Sequence, residues 1–124
     1  PGGRCVIQAI TMADTLFERY RRGTDFIQRH VFPGGMLPSP GAFAQQAHKA
    51  GLVVHDDFAF GLDYARTLRE WHARFDAVEG EIRRQGFPQR FSRMWRFYLA
   101  YCEAGFMQGN IDVHHYTLGH AAPG

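Results

Sequence analysis

The chain has 124 residues, 45% of them hydrophobic and 15% aromatic, with a formal net charge of +2. That length suits one domain or a large subdomain with a small core, and the composition excludes a disordered chain. No apolar run approaches the roughly 20 residues of a membrane span, and two cysteines make no disulfide framework.

The chain opens PGGRCVIQAIT, without the basic region and apolar stretch of a signal peptide. The lack of an initial Met agrees with a truncated or processed chain. Arg4–Met12 is almost continuously apolar and β-branched. That pattern predicts a strand buried on both faces, as in parallel sheets. Thr15 and Glu18 have the spacing of a capping box that starts a helix. Its apolar positions run Phe17, Tyr20, Ile27 and Val31, with Gly23 as a break and Pro33, Gly34 and Gly35 as a stop.

Ser39 is placed to cap the next helix, with Pro40 in its first turn and Gly51 at its end. Leu52–Phe60 reads as a strand. Asp63–Arg84 is a long helix with an apolar stripe at Leu68, Trp71, Phe75, Val78 and Ile82. Gly86 and Pro88 break the chain. Gln89–Gly105 is a second long helix, with Phe91, Trp95, Tyr98 and Cys102 on one face. Gly109 and Asn110 turn into a last strand, Ile111–Leu118. The order β-α-α-β-α-α-β gives a single α/β layer structure of three strands, with a right-handed crossover expected from the first strand to the second.

Positive charge is nearly all Arg, Lys49 being the only lysine. Along Arg66–Arg84 the arginines alternate with acids, as on solvated helix faces. A nucleic-acid site needs a one-signed stripe, which is missing, so no nucleic-acid partner is expected. A mild attraction to anionic lipid headgroups remains. Cys5 and Cys102, in an apolar strand and an apolar helix, read as reduced thiols of an intracellular protein.

Three segments carry a family resemblance: FPGGMLPS (Phe32–Ser39), YARTLREW (Tyr64–Trp71), and YLAYCEAGF (Tyr98–Phe106) followed three residues later by NIDV. In this order they resemble the C-terminal part of the cyclopropane-fatty-acyl-phospholipid synthase, or mycolic acid cyclopropane synthase, family. The resemblance covers nearly the whole chain, residues 1–124. It implies a C-terminal piece of a Rossmann-like methyltransferase sheet: three strands, four or five helices, and a last strand inserted antiparallel between the other two.

It also implies a chemistry. The methyl of S-adenosylmethionine is attacked by a cis alkene of a phospholipid acyl chain. A bound bicarbonate then takes a proton, and a cyclopropane or methyl-branched product forms. Such a reaction needs a dry apolar tunnel, an anion and aromatic faces near the positive charge, and a base in reach. The Gly-rich strand–turn–helix that holds the cofactor in that family has no counterpart here, so no cofactor-binding residue is assigned and the chain alone is expected to be inactive. No metal site is expected either.

Carried over residue by residue, the resemblance makes Tyr64 a bicarbonate ligand and Ile10 a backbone donor. Gln8 stands where the family has His; an amide donates a hydrogen bond but carries no charge. The acyl pocket maps to Phe32, Leu68, Cys102 and Phe106. Without the resemblance, Tyr64 is a half-buried amphipathic tyrosine and Leu68, Cys102 and Phe106 are core. His114 and His115 receive no role: adjacent strand residues point to opposite faces, which defeats a shared metal, and Asp56 with Asp57 fails as a dyad for the same reason.

Two other readings stay open: a methyltransferase of the same family with a small-molecule amine acceptor, and a non-catalytic apolar-ligand or interaction module. The expected location is cytoplasmic, peripheral to the inner membrane face. A sheet edge bared by truncation is expected to drive self-association.

Overall fold

The computed structural model describes residues 2–23 and 36–121. Phe32, the apolar positions Ile27 and Val31, and the Pro33–Gly35 stop lie outside the described residues. Among the described residues three strands and four helices follow in the predicted order: β1 (Cys5–Met12), α1 (Asp14–Arg22), α2 (Pro40–Lys49), β2 (Leu52–Ala59), α3 (Gly61–Arg84), α4 (Gln89–Gln108) and β3 (Ile111–His120). The sheet order is β1-β3-β2, with β3 antiparallel to both neighbours. The last strand therefore inserts between the first two. β1 and β2 share a direction but no hydrogen bonds, so the expected crossover joins strands that β3 separates.

The central position also relocates the strand with two buried faces. β1 is exposed from Cys5 to Gln8, with Val6 63% accessible. It lies at the edge of the described sheet, where a ladder partner is present on one side only. β3 buries Ile111, Val113, His114, Tyr116 and Leu118. Continuous apolarity specified a strand, while burial followed the number of neighbours. Cys5 is consequently exposed and Cys102 buried.

Helix ends show which punctuation the chain uses. Ser39 Oγ accepts from the Ala42 N–H at 3.0 Å and Pro40 occupies the first turn of α2, as the sequence suggests. The Thr15–Glu18 capping box does not form. α1 starts two residues earlier than that box implies, at Asp14, behind an Ala13 N–H bonded to the Asn110 carbonyl. Asp14 Oδ1 in turn accepts from Gly41 N–H, tying α1 to the start of α2. α3 begins at Gly61 rather than Asp63, because Asp112 of β3 supplies the missing cap: its Oδ1 accepts from the Gly61 N–H at 2.8 Å. A Cβ at position 61 would collide with that carboxylate. α4 runs to Gln108 and closes on Gly109 in the left-handed region at φ 75°, a conformation that costs glycine little.

The two sheet faces are covered differently. Ala47 of α2, with Phe43, covers Tyr116 and Leu118 on one face. On the other, α3 and α4 bring Ala65, Leu68, Leu99, Cys102 and Phe106 onto Ile111 and Val113. Burying a Leu or Phe side chain contributes about 1.5–3 kcal/mol, so this second cluster anchors the helical hairpin to the sheet. The buried line of α3 runs Gly61, Ala65, Leu68 and Phe75. Trp71 and Val78, expected on the apolar stripe, flank it and are 45% and 50% accessible.

Candidate functional site

Tyr64 stands in the first turn of α3, positioned by the Asp112-capped Gly61 and by its own N–H to the Phe60 carbonyl at 3.1 Å. One turn on, Leu68 falls on the same face, as i and i+4 must. Cys102 and Phe106 repeat that spacing on α4. The antiparallel hairpin brings the pairs together: Leu68, Cys102 and Phe106 lie in one buried cluster, with Tyr64 and Ile10 packed against it. The Tyr64 ring meets Phe106 edge-on at 5.1 Å and Trp71 at 6.0 Å.

Polar groups inside this apolar wall are few. The Tyr98 hydroxyl hydrogen-bonds the Cys102 thiol, and burial followed by the nearby thiol pushes the Tyr98 phenol up to about 12. Burial, and then Cys102, also raise the Tyr64 phenol above its usual range. Charging either oxygen beside an apolar wall is costly. Tyr64 therefore stays a neutral O–H donor across the physiological range. Beside the cluster an open cleft of about 660 Å³ runs between α1 and α4, sharing Met12, Leu37 and Ile111 with it. That volume falls in the ~300–1,000 Å³ range of small-ligand sites.

Gln8 lies two residues before Ile10 on β1 and pairs in register with His115. Its exposed side chain accepts through Oε1 from His115 Nε2 at 2.9 Å, and the His115 ring rests edge-on against Phe60 at 4.7 Å. This orients the amide: its carbonyl is taken, and its NH₂ is left to donate elsewhere. Four of the sequence-predicted residues, Tyr64, Leu68, Cys102 and Phe106, thus converge with Ile10, while Gln8 sits further down the same strand in a separate contact.

On the opposite face lies a network that residue patterns did not disclose. Asp57 Oδ1 accepts from His114 Nδ1 at 2.6 Å, and His114 Nε2 meets Thr11 Oγ1 at 2.9 Å. A neutral ring that donates through Nδ1 leaves Nε2 to accept from the Thr11 hydroxyl. Thr11 is 1% accessible and His114 5%, and His114 stacks on Tyr116 at 4.8 Å. His114 and His115 do point to opposite faces, and each has a neighbour of its own. No sequence pattern singled out His114: its burial follows from the central place of β3, which only the sheet order reveals.

The one strand-to-helix turn opening on glycine among the described residues, β2 to α3, is filled by Asp112.

Residues 1–116 match the family model described as mycolic acid cyclopropane synthetase. The chain is 41% identical over 124 residues to tuberculostearic acid methyltransferase UfaA1 of Mycobacterium tuberculosis, across 99% of this chain and 29% of that protein. It is 36% identical over 88 residues to the cyclopropane-fatty-acyl-phospholipid synthase of Escherichia coli K12, across 71% of this chain and 22% of the relative. Among solved structures, mycolic acid cyclopropane synthase CmaA1 complexed with SAH and CTAB superposes with a TM-score of 0.81 at 28% identity, across 95% of this chain and 45% of that one. The chain thus spans less than a third of these curated relatives and under half of the solved one.

Proposed function

The chain belongs to the mycolic acid cyclopropane synthetase family, and from that premise we propose that its parent methylates the cis double bond of unsaturated phospholipid acyl chains. In this reading the chain supplies one wall of the acyl pocket. The observation that carries it is the convergence of Tyr64, Leu68, Cys102 and Phe106 around one apolar surface. S-adenosylmethionine, held by residues upstream of this chain, supplies the methyl group; the SAH-complexed relative supports that choice.

The residues of this chain divide the remaining work. Leu68, Phe106 and the core behind them exclude water from a cationic centre. The aromatic faces of Tyr64 and Phe106 stabilise positive charge. The Tyr64 hydroxyl, kept protonated by its surroundings, donates to a bound bicarbonate that accepts the proton released. The Gln8 amide, whose carbonyl accepts from His115 in a separate contact further along β1, keeps an NH₂ that would have to turn toward the anion to act as a second neutral donor. The Ile10 backbone N–H is the third.

The test is lipid analysis of cells with and without the full-length gene. Appearance of cyclopropane or methyl-branched acyl chains with the gene supports the reading. Unchanged acyl chains, with methylation of an added amine by the purified protein, would replace it with the amine-acceptor alternative.

A further inference from the structure

We propose that the tip of the α3–α4 hairpin is a docking element for an anionic lipid surface. The inference rests on the lipid reading above and assigns it a surface. α3 has 24 residues, or roughly 36 Å at 1.5 Å per residue. Only the sheet-proximal parts of α3 and α4 join the core on β3, through Ala65, Leu68, Leu99, Cys102 and Phe106. The far end, where Gln85–Pro88 connect the helices, is exposed throughout.

Charge is sorted along this arm. Asp76 and Glu79 are both engaged by Arg96, at 2.6 and 3.4 Å. Glu81 is engaged by Arg84 at 2.8 Å. No further acid lies between Glu81 and Arg93. Arg83, Arg90 and Arg93 are exposed and have no ion pair among the described residues. The alternation that reads as balanced along Arg66–Arg84 thus resolves into a paired shaft and a cationic tip.

Apolar groups favour a lipid over a polar anionic partner. Phe87 sits in the connection itself, 44% accessible. Its ring lies 4.9 Å from Phe91, Phe91 lies 6.1 Å from Trp95, and Trp95 lies 5.0 Å from Tyr98. Tyr98 bonds Cys102 in the candidate site. An unbroken aromatic file therefore joins the tip to the acyl pocket. An exposed aromatic residue with exposed arginines on both sides of it in the chain suits the interface, where the ring enters the acyl boundary and the cations meet headgroups. An acyl chain leaving the bilayer at Phe87 would travel along apolar surface to Tyr64.

Each basic residue at an anionic surface is worth about fivefold in binding, so three unpaired arginines account for roughly a hundredfold. The experiment uses the full-length protein and sedimentation with vesicles of phosphatidylglycerol and phosphatidylcholine, or phosphatidylcholine alone. The Arg83→Gln/Arg90→Gln/Arg93→Gln variant should bind the anionic vesicles at least about tenfold more weakly. Its binding to neutral vesicles and its turnover of a detergent-dispersed acyl substrate should be unchanged. In a separate Phe87→Trp variant, the added emission should be quenched by brominated lipid. Wild-type binding by the triple variant, no vesicle binding by either protein, or no quenching at position 87 overturns the proposal. Retained vesicle binding with loss of binding to an acidic acyl-carrier protein would give the tip to a protein partner instead. Vesicle binding through the tip without any lipid methylation would leave this inference standing and defeat the functional reading alone.

Discussion

Tyr64 and Phe106 meet edge to face, with ring centroids 5.1 Å apart and planes at 70°. The contact ties the first turn of α3 to the last turns of α4 directly over the sheet. Phe106 is 2% accessible, so it is core and pocket wall at once. Phe106→Ala should cost about 3–5 kcal/mol and Leu68→Ala about 2–5 kcal/mol by denaturant unfolding. On the proposed function, both substitutions in the full-length protein should also shift acyl-chain preference while leaving cofactor affinity in place. Equal losses at every chain length with a weakened cofactor constant would mark them as packing residues only.

The Asp57–His114–Thr11 chain should behave as a unit. His114→Ala strands a buried Thr11 hydroxyl, and an unsatisfied buried group costs about 1–3 kcal/mol. Thr11→Val alone should destabilise the protein, yet add little in a His114→Ala background. Additive losses in a double-mutant cycle would show that the 2.9 Å contact carries no coupling.

Much of this architecture is legible in the sequence because its signals are local. Ser39 and Pro40 mark a helix start and Gly109 marks a helix end through their own backbone chemistry. The i, i+4 pairs Tyr64–Leu68 and Cys102–Phe106 announce a shared face, although family resemblance was needed to read that face as a pocket. What escaped depends on register. Asp57 and Thr11 are 57 and 103 residues from His114, and only the pairing of both outer strands with β3 makes them neighbours. Likewise Asp112 replaces a cap that the sequence lacks near Gly61, and no window around position 61 contains it. The cationic tip was hidden for the opposite reason: local alternation looked neutral until Arg96 withdrew Asp76 and Glu79.

Tyr116 offers a test of alkaline stability. Burial, followed by the carboxylates of Asp57, Asp14 and Asp112, pushes its phenol up to about 12, and Tyr98 reaches about 12 as well. A raised phenol contributes stability that is complete below the unfolded value of 10 and is lost as pH climbs through the folded value. Unfolding free energy should therefore fall between pH 10 and 12, and Tyr116→Phe should flatten that slope. The Tyr116 hydroxyl is buried with no partner among the described residues. Removing it should be neutral or mildly stabilising at pH 7, by up to about 1 kcal/mol. A large loss at neutral pH would reveal a bond to that hydroxyl.

The edge of β1 predicts association of the 124-residue chain. Val6 and Ile7 are 63% and 37% accessible on a strand paired on one side only among the described residues. Unprotected apolar edges pair with further strands. Light scattering should show oligomers of the isolated chain, and Val6→Lys/Ile7→Lys should dissolve them. A monomer at high concentration before any substitution would count against edge pairing.

Tyr64→Phe isolates the most specific catalytic assignment. The substitution keeps the ring, its contacts with Phe106 and Trp71, and the packing of α3. It deletes one hydroxyl, which burial holds in the neutral donor form. If that hydroxyl positions the anion that accepts the proton, its hydrogen bond matters most as positive charge develops. An interaction made mainly in the transition state lowers kcat and leaves KM nearly unchanged. A charge-assisted hydrogen bond contributes about 1.5–3 kcal/mol, or roughly ten- to hundredfold in rate. The full-length variant should fold normally, bind lipid and cofactor normally, and turn over at least about tenfold more slowly. The deficit should persist at saturating bicarbonate if the hydroxyl orients the ion, and shrink if it only recruits it. Full activity in Tyr64→Phe would return Tyr64 to the status of a half-buried packing residue.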